Sequence, residues 1–209
     1  VGTIYEVPDA SATGATTVVL TPSLDLAQQS VSPDVVLTVG SRQQLDHLVQ
    51  YRPAGPVSVK AVTSTRRHGF APDDVAGACS RLLAAGASIH SVALHPALHG
   101  SDDDRLEEIS RIVGMIDVSH RITVSHLGAH HYSLLQQRFA DRAFGIRLGS
   151  ALWHGDKSML ALRAVCLDVR SVRQGDRLGY RGVEAPADGQ VVIVDAGTAH
   201  GVHPLANGD

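Results

Sequence analysis

At 209 residues and 22.0 kDa the chain is long enough for one good core, or for one domain and part of a second. With 44% apolar residues, 19% charged residues and a net charge of −3, it is composed like an ordinary globular protein, with no basis for nucleic acid or a membrane surface as partner. No apolar run approaches the roughly 18 residues of a bilayer span, and Val1 to Val7 lack the basic-then-apolar order of a signal peptide.

Short apolar runs alternate with helical patterns through most of the chain. Val18–Thr21 reads as a strand, followed by a helix near Ser23–Ser30. Val35–Val39 is a second strand, and Ser41 caps a helix to about Tyr51. Val57–Val62 is a third, and its helix follows Pro72, with Val75, Ala78, Cys79, Leu82 and Leu83 on one face. Ile89–Leu94 leads to a helix from about Asp102, striped by Leu106, Ile109, Ile112 and Val113. Arg121–Val124, a helix near His131–Phe139 and Ala143–Ile146 complete the run.

Strand–helix units of this length imply parallel strands joined by right-handed crossovers. Their apolar strands suit a sheet covered on both faces, in a barrel or a doubly wound sheet alike. After Gly155 the pattern changes. Met159–Val172 alternates, Gly179–Gly182 is a turn and Gln190–Asp195 is a strand, with no helix between them. The expected division is therefore 1–155 for the α/β part and 156–209 for the start of an all-β domain. Neither cysteine has a partner or a metal-type spacing. Cys79, in a helix pattern, and Cys166, in a strand pattern, are expected to stay reduced as small buried hydrophobes. The chain opens without Met and stops at Ala206–Asp209 without a closing element, so both ends read as cut.

The later strands end on polar residues. Lys60 runs into Thr63–Gly69, His95 into Pro96–Gly100, Ser125 into His126–His131, and Arg147 into Leu148–Gly155. Ligands of parallel α/β folds bind at the carboxyl ends of strands, and cations and glycines converging there suit an anionic, phosphorylated ligand. A lone His or Arg at a strand end more often serves a structural hydrogen bond. Four in succession favour a site.

The same stretches carry a family resemblance. Lys60, Thr63, Arg67 and Gly69 resemble the Lys-x-x-Thr-x-x-x-Arg-x-Gly signature of alanine racemases. Arg147, Gly149, Leu152 and Trp153 resemble the segment that closes their barrel, and the β segment with Gly175–Tyr180, Ile193 and Gly197–Gly201 resembles the racemase stretch leading into Gly-Tyr-Ala-Asp-Gly. A divergent actinobacterial branch of the family is more similar still, sharing Thr-Ser-x-Arg-Arg-His-Gly, Val-Ser-His-Leu and Gly-Thr-Ala-His-Gly. The resemblance implies an incomplete (β/α) TIM-type barrel, its first strands missing, and pyridoxal 5'-phosphate (PLP) as cofactor. It further implies a small amino acid as substrate, a homodimer in the full-length form, and the cytoplasm as location.

By position, the resemblance implies that Arg147 faces the pyridine nitrogen of PLP and that Gly149 and Ser150 present backbone N–H groups to its phosphate. His95 and His126 would line the cofactor, and Arg67 would bond its ring oxygen. Lys60 matches a lysine, often carbamylated in the family, that orients this arginine; the alternative is a solvated strand-end lysine. Departures accompany the likeness. The family's Schiff-base lysine matches a position upstream of Val1, so the chain by itself is expected to be inactive. Thr198 stands where the family has its tyrosine base, and a threonine hydroxyl is a far poorer base. His200 is a possible substitute, or a turn residue. Ala129 falls where a phosphate-binding serine is expected.

Three functions remain open at this level: a PLP-dependent amino-acid racemase, a PLP- or phosphate-binding homologue that no longer racemises, and a phosphate-sugar barrel enzyme unrelated to PLP. The last explains the strand ends but not the β segment.

Overall fold

The computed structural model describes residues 1–24, 31–51, 55–149, 152, 155, 158 and 163–202. The chain divides into two compact units, Val1–Leu152 and Trp153–Asp209.

The first unit opens with a short helix, α1 (Val7–Ser11), entered through a 3-10 turn at Ile4–Glu6. The Glu6 carboxylate accepts the Gly2 amide at 2.6 Å and the Thr3 amide at 3.2 Å, which satisfies donors that the turn leaves free. Alternating strands and helices follow: β1 (Leu37–Val39), α2 (Arg42–Tyr51), β2 (Gly55–Lys60), α3 (Val75–Ala84), β3 (Ala87–Ala93), α4 (Asp102–Met115), β4 (Ile122–Ser125), α5 (Ala129–Arg138) and β5 (Phe144–Arg147). Every strand pairing is parallel, and the order is β1-β2-β3-β4-β5. A parallel bridge from Val18 to Val36 extends that order outward, so the strand expected at Val18–Thr21 is reduced to one bridge. The helix expected near Ser23–Ser30 falls largely on 25–30, outside the described residues.

The strand order chooses between the two architectures that the pattern left open. A doubly wound sheet reverses its order at a switch point and takes helices on both faces. Here the order never reverses, so right-handed crossovers place every helix on the same face. This is the wall of a (β/α) barrel, incomplete in this chain.

The core lies between that wall and its helices. Val57, Val59, Val92, Leu94, Ile122 and Val124 are wholly buried against Leu82, Ile109 and Leu135 from the helices. The stripe expected on α4 is the stripe observed, with Leu106, Ile109, Ile112 and Val113 buried. The helix starts where its cap dictates: Ser101 Oγ accepts the Asp104 amide at 3.1 Å and the Asp104 carboxylate accepts the Ser101 amide at 2.8 Å. Gly77 sits inside α3 with open space where a Cβ would go. Gly77→Ala is therefore expected to raise stability by about 0.5–1 kcal/mol, read as a higher denaturation midpoint at unchanged slope.

The second unit is built of antiparallel strands: β6 (Cys166–Val172), β7 (Arg177–Leu178), β8 (Val183–Glu184) and β9 (Gly189–Val194). β6 pairs with β9, and β7 pairs with β8. The turn expected at Gly179–Gly182 joins the last pair. It is closed by a 3.1 Å bond from the Gly182 amide to the Gly179 carbonyl, with φ of +63° and +62° at the two glycines. Cys79 is buried as expected, but Cys166 is exposed. The correction has a plain cause: along β6 nearly every residue is exposed on both faces of its two-stranded sheet.

Candidate active site

Side chains alternate across a strand, and here the two faces differ in chemistry. Opposite the buried valines and isoleucines, Thr38, Ser58 and Ser91 form one row and Lys60, Ala93, Thr123 and Gly145 the next, with His95, Ser125 and Arg147 beyond them at the carboxyl ends. One irregularity places His95 in that set. The β2–β3 register passes from Val57↔Ile89 to Ser58↔Ser91, leaving His90 as an extra residue in β3. A bulge of one residue reverses the facing of everything after it. Without it Leu94, not His95, would share a face with Lys60. With it, Ser58 Oγ and Ser91 Oγ meet at 3.2 Å, and Leu94 is buried under the helices.

The strand ends are tied together by short bonds. Arg147 Nη2 donates to the Leu94 carbonyl at 3.1 Å. His95 Nδ1 lies 2.6 Å from Ser125 Oγ, and its ring is 4.5 Å from that of His126. The His95 carbonyl accepts Thr63 Oγ1 at 2.6 Å and Thr65 Oγ1 at 3.3 Å. His126 Nδ1 lies 2.8 Å from the Pro96 carbonyl; since a carbonyl only accepts, Nδ1 carries the proton and Nε2 is the acceptor of the neutral ring. The His126 backbone sits at φ +64°, a left-handed conformation that a side-chain-bearing residue adopts at a cost and that concentrates at functional sites.

The electrostatics are one-sided. Burial, then Arg147 and Arg67, hold the Lys60 ammonium below its usual range. Burial, then His126, Arg147, Lys60 and Arg67, pull His95 down to about 4. Burial, then Lys60 and Arg67, lower His68 as well. Each charge named in these shifts is positive, so an anion would be held strongly here. Because His95 binds its proton less tightly folded than unfolded, stability rises with pH between about 4 and the ordinary value of 6.5. In denaturant titrations across that window, His95→Gln is expected to flatten the slope; an unchanged slope would remove His95 from the account.

The structure thus brings Lys60, Arg67, His95, His126 and Arg147 into one electrostatic neighbourhood. Gly149 follows β5, with open space where a Cβ would go; Ser150 lies outside the described residues. Ala129 opens α5. Thr198 and His200 belong to the second unit, in a 3-10 turn in which His200 Nδ1 accepts the Gly197 amide at 3.3 Å. The Leu94 carbonyl joins the site although its residue type signals nothing catalytic, and Ser125, visible as a polar strand end, joins it as the partner of His95. Among the described residues, no group of three or more His, Cys, Asp or Glu could hold a metal ion.

A parallel barrel wall whose strand ends carry clustered cations suits an anionic small molecule. The family model for the alanine racemase N-terminal domain matches residues 1–156, and the chain belongs to that family. PLP is the cofactor of this group. Among solved structures, the alanine racemase from Oenococcus oeni superposes with a TM-score of 0.51 at 19% identity, covering 91% of this chain and 57% of the other. A diaminopimelate decarboxylase gives 0.55 at 18%, covering 93% and 54%. SrLDC, solved in complex with PLP and cadaverine, gives 0.51 at 14%, covering 71% and 47%. The chain thus spans about half the length of these structures. No curated protein sequence matches it. No described helix is long and apolar enough to cross a membrane.

The residues present fit PLP. Half-buried Lys60 and Arg147, with exposed Arg67 nearby, offer the phosphorylated, phenolate-bearing cofactor positive charge, and the Leu94 carbonyl holds Arg147 in one orientation.

Proposed function

We propose that the full-length protein is a PLP-dependent amino-acid racemase of the alanine racemase type, interconverting L- and D-amino acids by removing and returning the α-proton. The observation that carries this reading is the convergence of Lys60, His95, Ser125 and Arg147 on one face, with only positive charges acting there. When bound, PLP withdraws electrons from the substrate's α-carbon and so acidifies its proton.

In this reading Arg147 faces the ring nitrogen. Its guanidinium does not surrender a proton, so beside bound PLP it would leave the ring nitrogen unprotonated and moderate the electron withdrawal. Gly149 and Ser150 hold the phosphate through backbone N–H groups, Arg67 bonds the ring oxygen and Lys60 orients Arg67. His95, neutral near pH 7, lines the cofactor without adding to the repulsion among the cations. His126, its Nδ1–H given to the Pro96 carbonyl, lines the site beside His95. Of Thr198 and His200, the pair at the position of the family's second base, only the His200 imidazole is a group suited to general-base work. We place the protein in the cytoplasm as a homodimer, with alanine as the default substrate, on family membership.

The test is chiral analysis of L-alanine and other amino acids incubated with the full-length protein and PLP. Equal D and L forms at the end point support racemisation. Release of carbon dioxide instead moves the protein toward the decarboxylases that share its fold. The second reading, a PLP-binding homologue without turnover, is favoured by Thr198 at the tyrosine position; it predicts bound cofactor and an unchanged substrate.

A further inference from the structure

We infer that the outer helix α4 is the positioning element of the site, and that Asp102, Arg105 and Glu108 are the residues through which it acts. This rests on the reading of the strand ends as a cofactor site. The three residues recur every third position, which lines them along one side of the helix, beside the buried stripe. All are half-buried, whereas Asp103, Asp104 and Glu107 are exposed.

Each of the three grips a different loop. Glu108 Oε1 accepts the Ser64 amide at 2.5 Å and Oε2 accepts the Ser64 hydroxyl at 2.8 Å. Ser64 Oγ in turn accepts the Ala97 amide at 3.0 Å, which links the loop after β2 to the loop after β3. Arg105 Nη1 donates to the carbonyls of Leu98 at 2.8 Å and Gly100 at 2.9 Å, within the loop after β3. Asp102 Oδ1 pairs with Arg105 Nη2 at 2.5 Å, while Oδ2 accepts the Gly128 amide at 3.1 Å in the loop after β4.

These loops carry or adjoin Arg67, His95 and His126. Cations crowded together repel one another, so the loops that bear them need an external tie to keep a common register. One helix supplies it through charge-assisted bonds to backbone and hydroxyl groups. Glu108 is the most informative member, because its removal leaves the Asp102–Arg105 pair intact. It does not touch the strand-end cluster in any bond seen here, and so acts through Ser64 and Ala97.

The experiment compares Glu108→Ala, Glu108→Gln and the control Glu107→Ala in the full-length protein. Glu107 also accepts an ion pair, from Arg138 at 2.8 Å, but grips no strand-end loop. Two quantities are read: the Kd for PLP, and amide hydrogen exchange at Ser64 and Ala97. Glu108→Ala is expected to raise the Kd about five- to tenfold and to speed exchange at both amides at least about tenfold. Glu108→Gln, whose amide carbonyl still accepts from Ser64, is expected to recover most of both. Glu107→Ala should leave both within about twofold.

Equal effects in Glu107→Ala and Glu108→Ala, or unchanged exchange at Ser64 and Ala97, overturn the assignment. If wild-type protein binds no PLP, the cofactor reading fails, and the exchange data alone decide whether α4 fixes the loops.

Discussion

Arg147→Ala is expected to weaken PLP binding by about 30- to 100-fold, the loss that follows from removing a largely buried, charge-bearing donor worth about 2–3 kcal/mol. The side chain is already oriented by the Leu94 carbonyl, so little ordering remains for a ligand to impose. The same substitution removes one of the charges that depress Lys60 and His95. Both groups should therefore titrate nearer their ordinary values in the variant. Fold stability should change little, because relief of repulsion opposes the loss of the bond to Leu94. Arg147→Lys keeps the charge but not the planar fork, and an intermediate loss of about tenfold is expected. An absorbance titration with PLP measures each. Wild-type affinity in Arg147→Ala would show that the arginine does not face the ligand.

Gly69→Ala is expected to be the most destabilising small substitution in the first unit, at about 3 kcal/mol or more. The glycine has φ +153°, and an added Cβ would collide with the backbone of Ala61 and Val62. The segment cannot easily shift away. The Gly69 amide donates to the Gly40 carbonyl at 2.9 Å, and the next residue donates from its amide to the Lys60 carbonyl at 2.8 Å. Gly40 is equally confined, since a Cβ there would lie 2.8 Å from the Gly69 nitrogen. The two glycines let the loop bearing Arg67 fold back onto the ends of β1 and β2. Thermal unfolding should show a midpoint lower by about 6–12 °C, and PLP affinity should fall with it. A midpoint within 2 °C of wild type, a shift worth roughly 1 kcal/mol or less, would mean that this loop is not held as described.

Much of the fold was legible from local pattern. The helix stripe of α4, the cap at Ser41 and the turn at Gly179–Gly182 each follow from short-range chemistry, as does the stripe of α3 except at Leu83, which lies at the edge of that face and is exposed. The barrel was not decidable from that pattern, because strand order is a long-range property. Alternation was present in Val57-Ser58-Val59-Lys60 and Phe144-Gly145-Ile146-Arg147, yet it was obscured by the bulge at His90 and by strands only three or four residues long. The cationic strand ends were visible as residues. Their ties were not: Ser125 against His95, Leu94 under Arg147 and Glu108 on Ser64 join positions 30, 53 and 44 apart. Cys166 failed as a buried residue because a strand pattern does not reveal whether a second layer covers it.

The most direct test of the account is an absorbance spectrum of the full-length protein purified with added PLP, taken before and after borohydride. A protein-bound chromophore is expected, whose absorbance changes on reduction and whose pyridoxyl group then stays with the protein through denaturation. A folded protein with no bound chromophore would contradict it, leaving the cationic barrel mouth to some other anion.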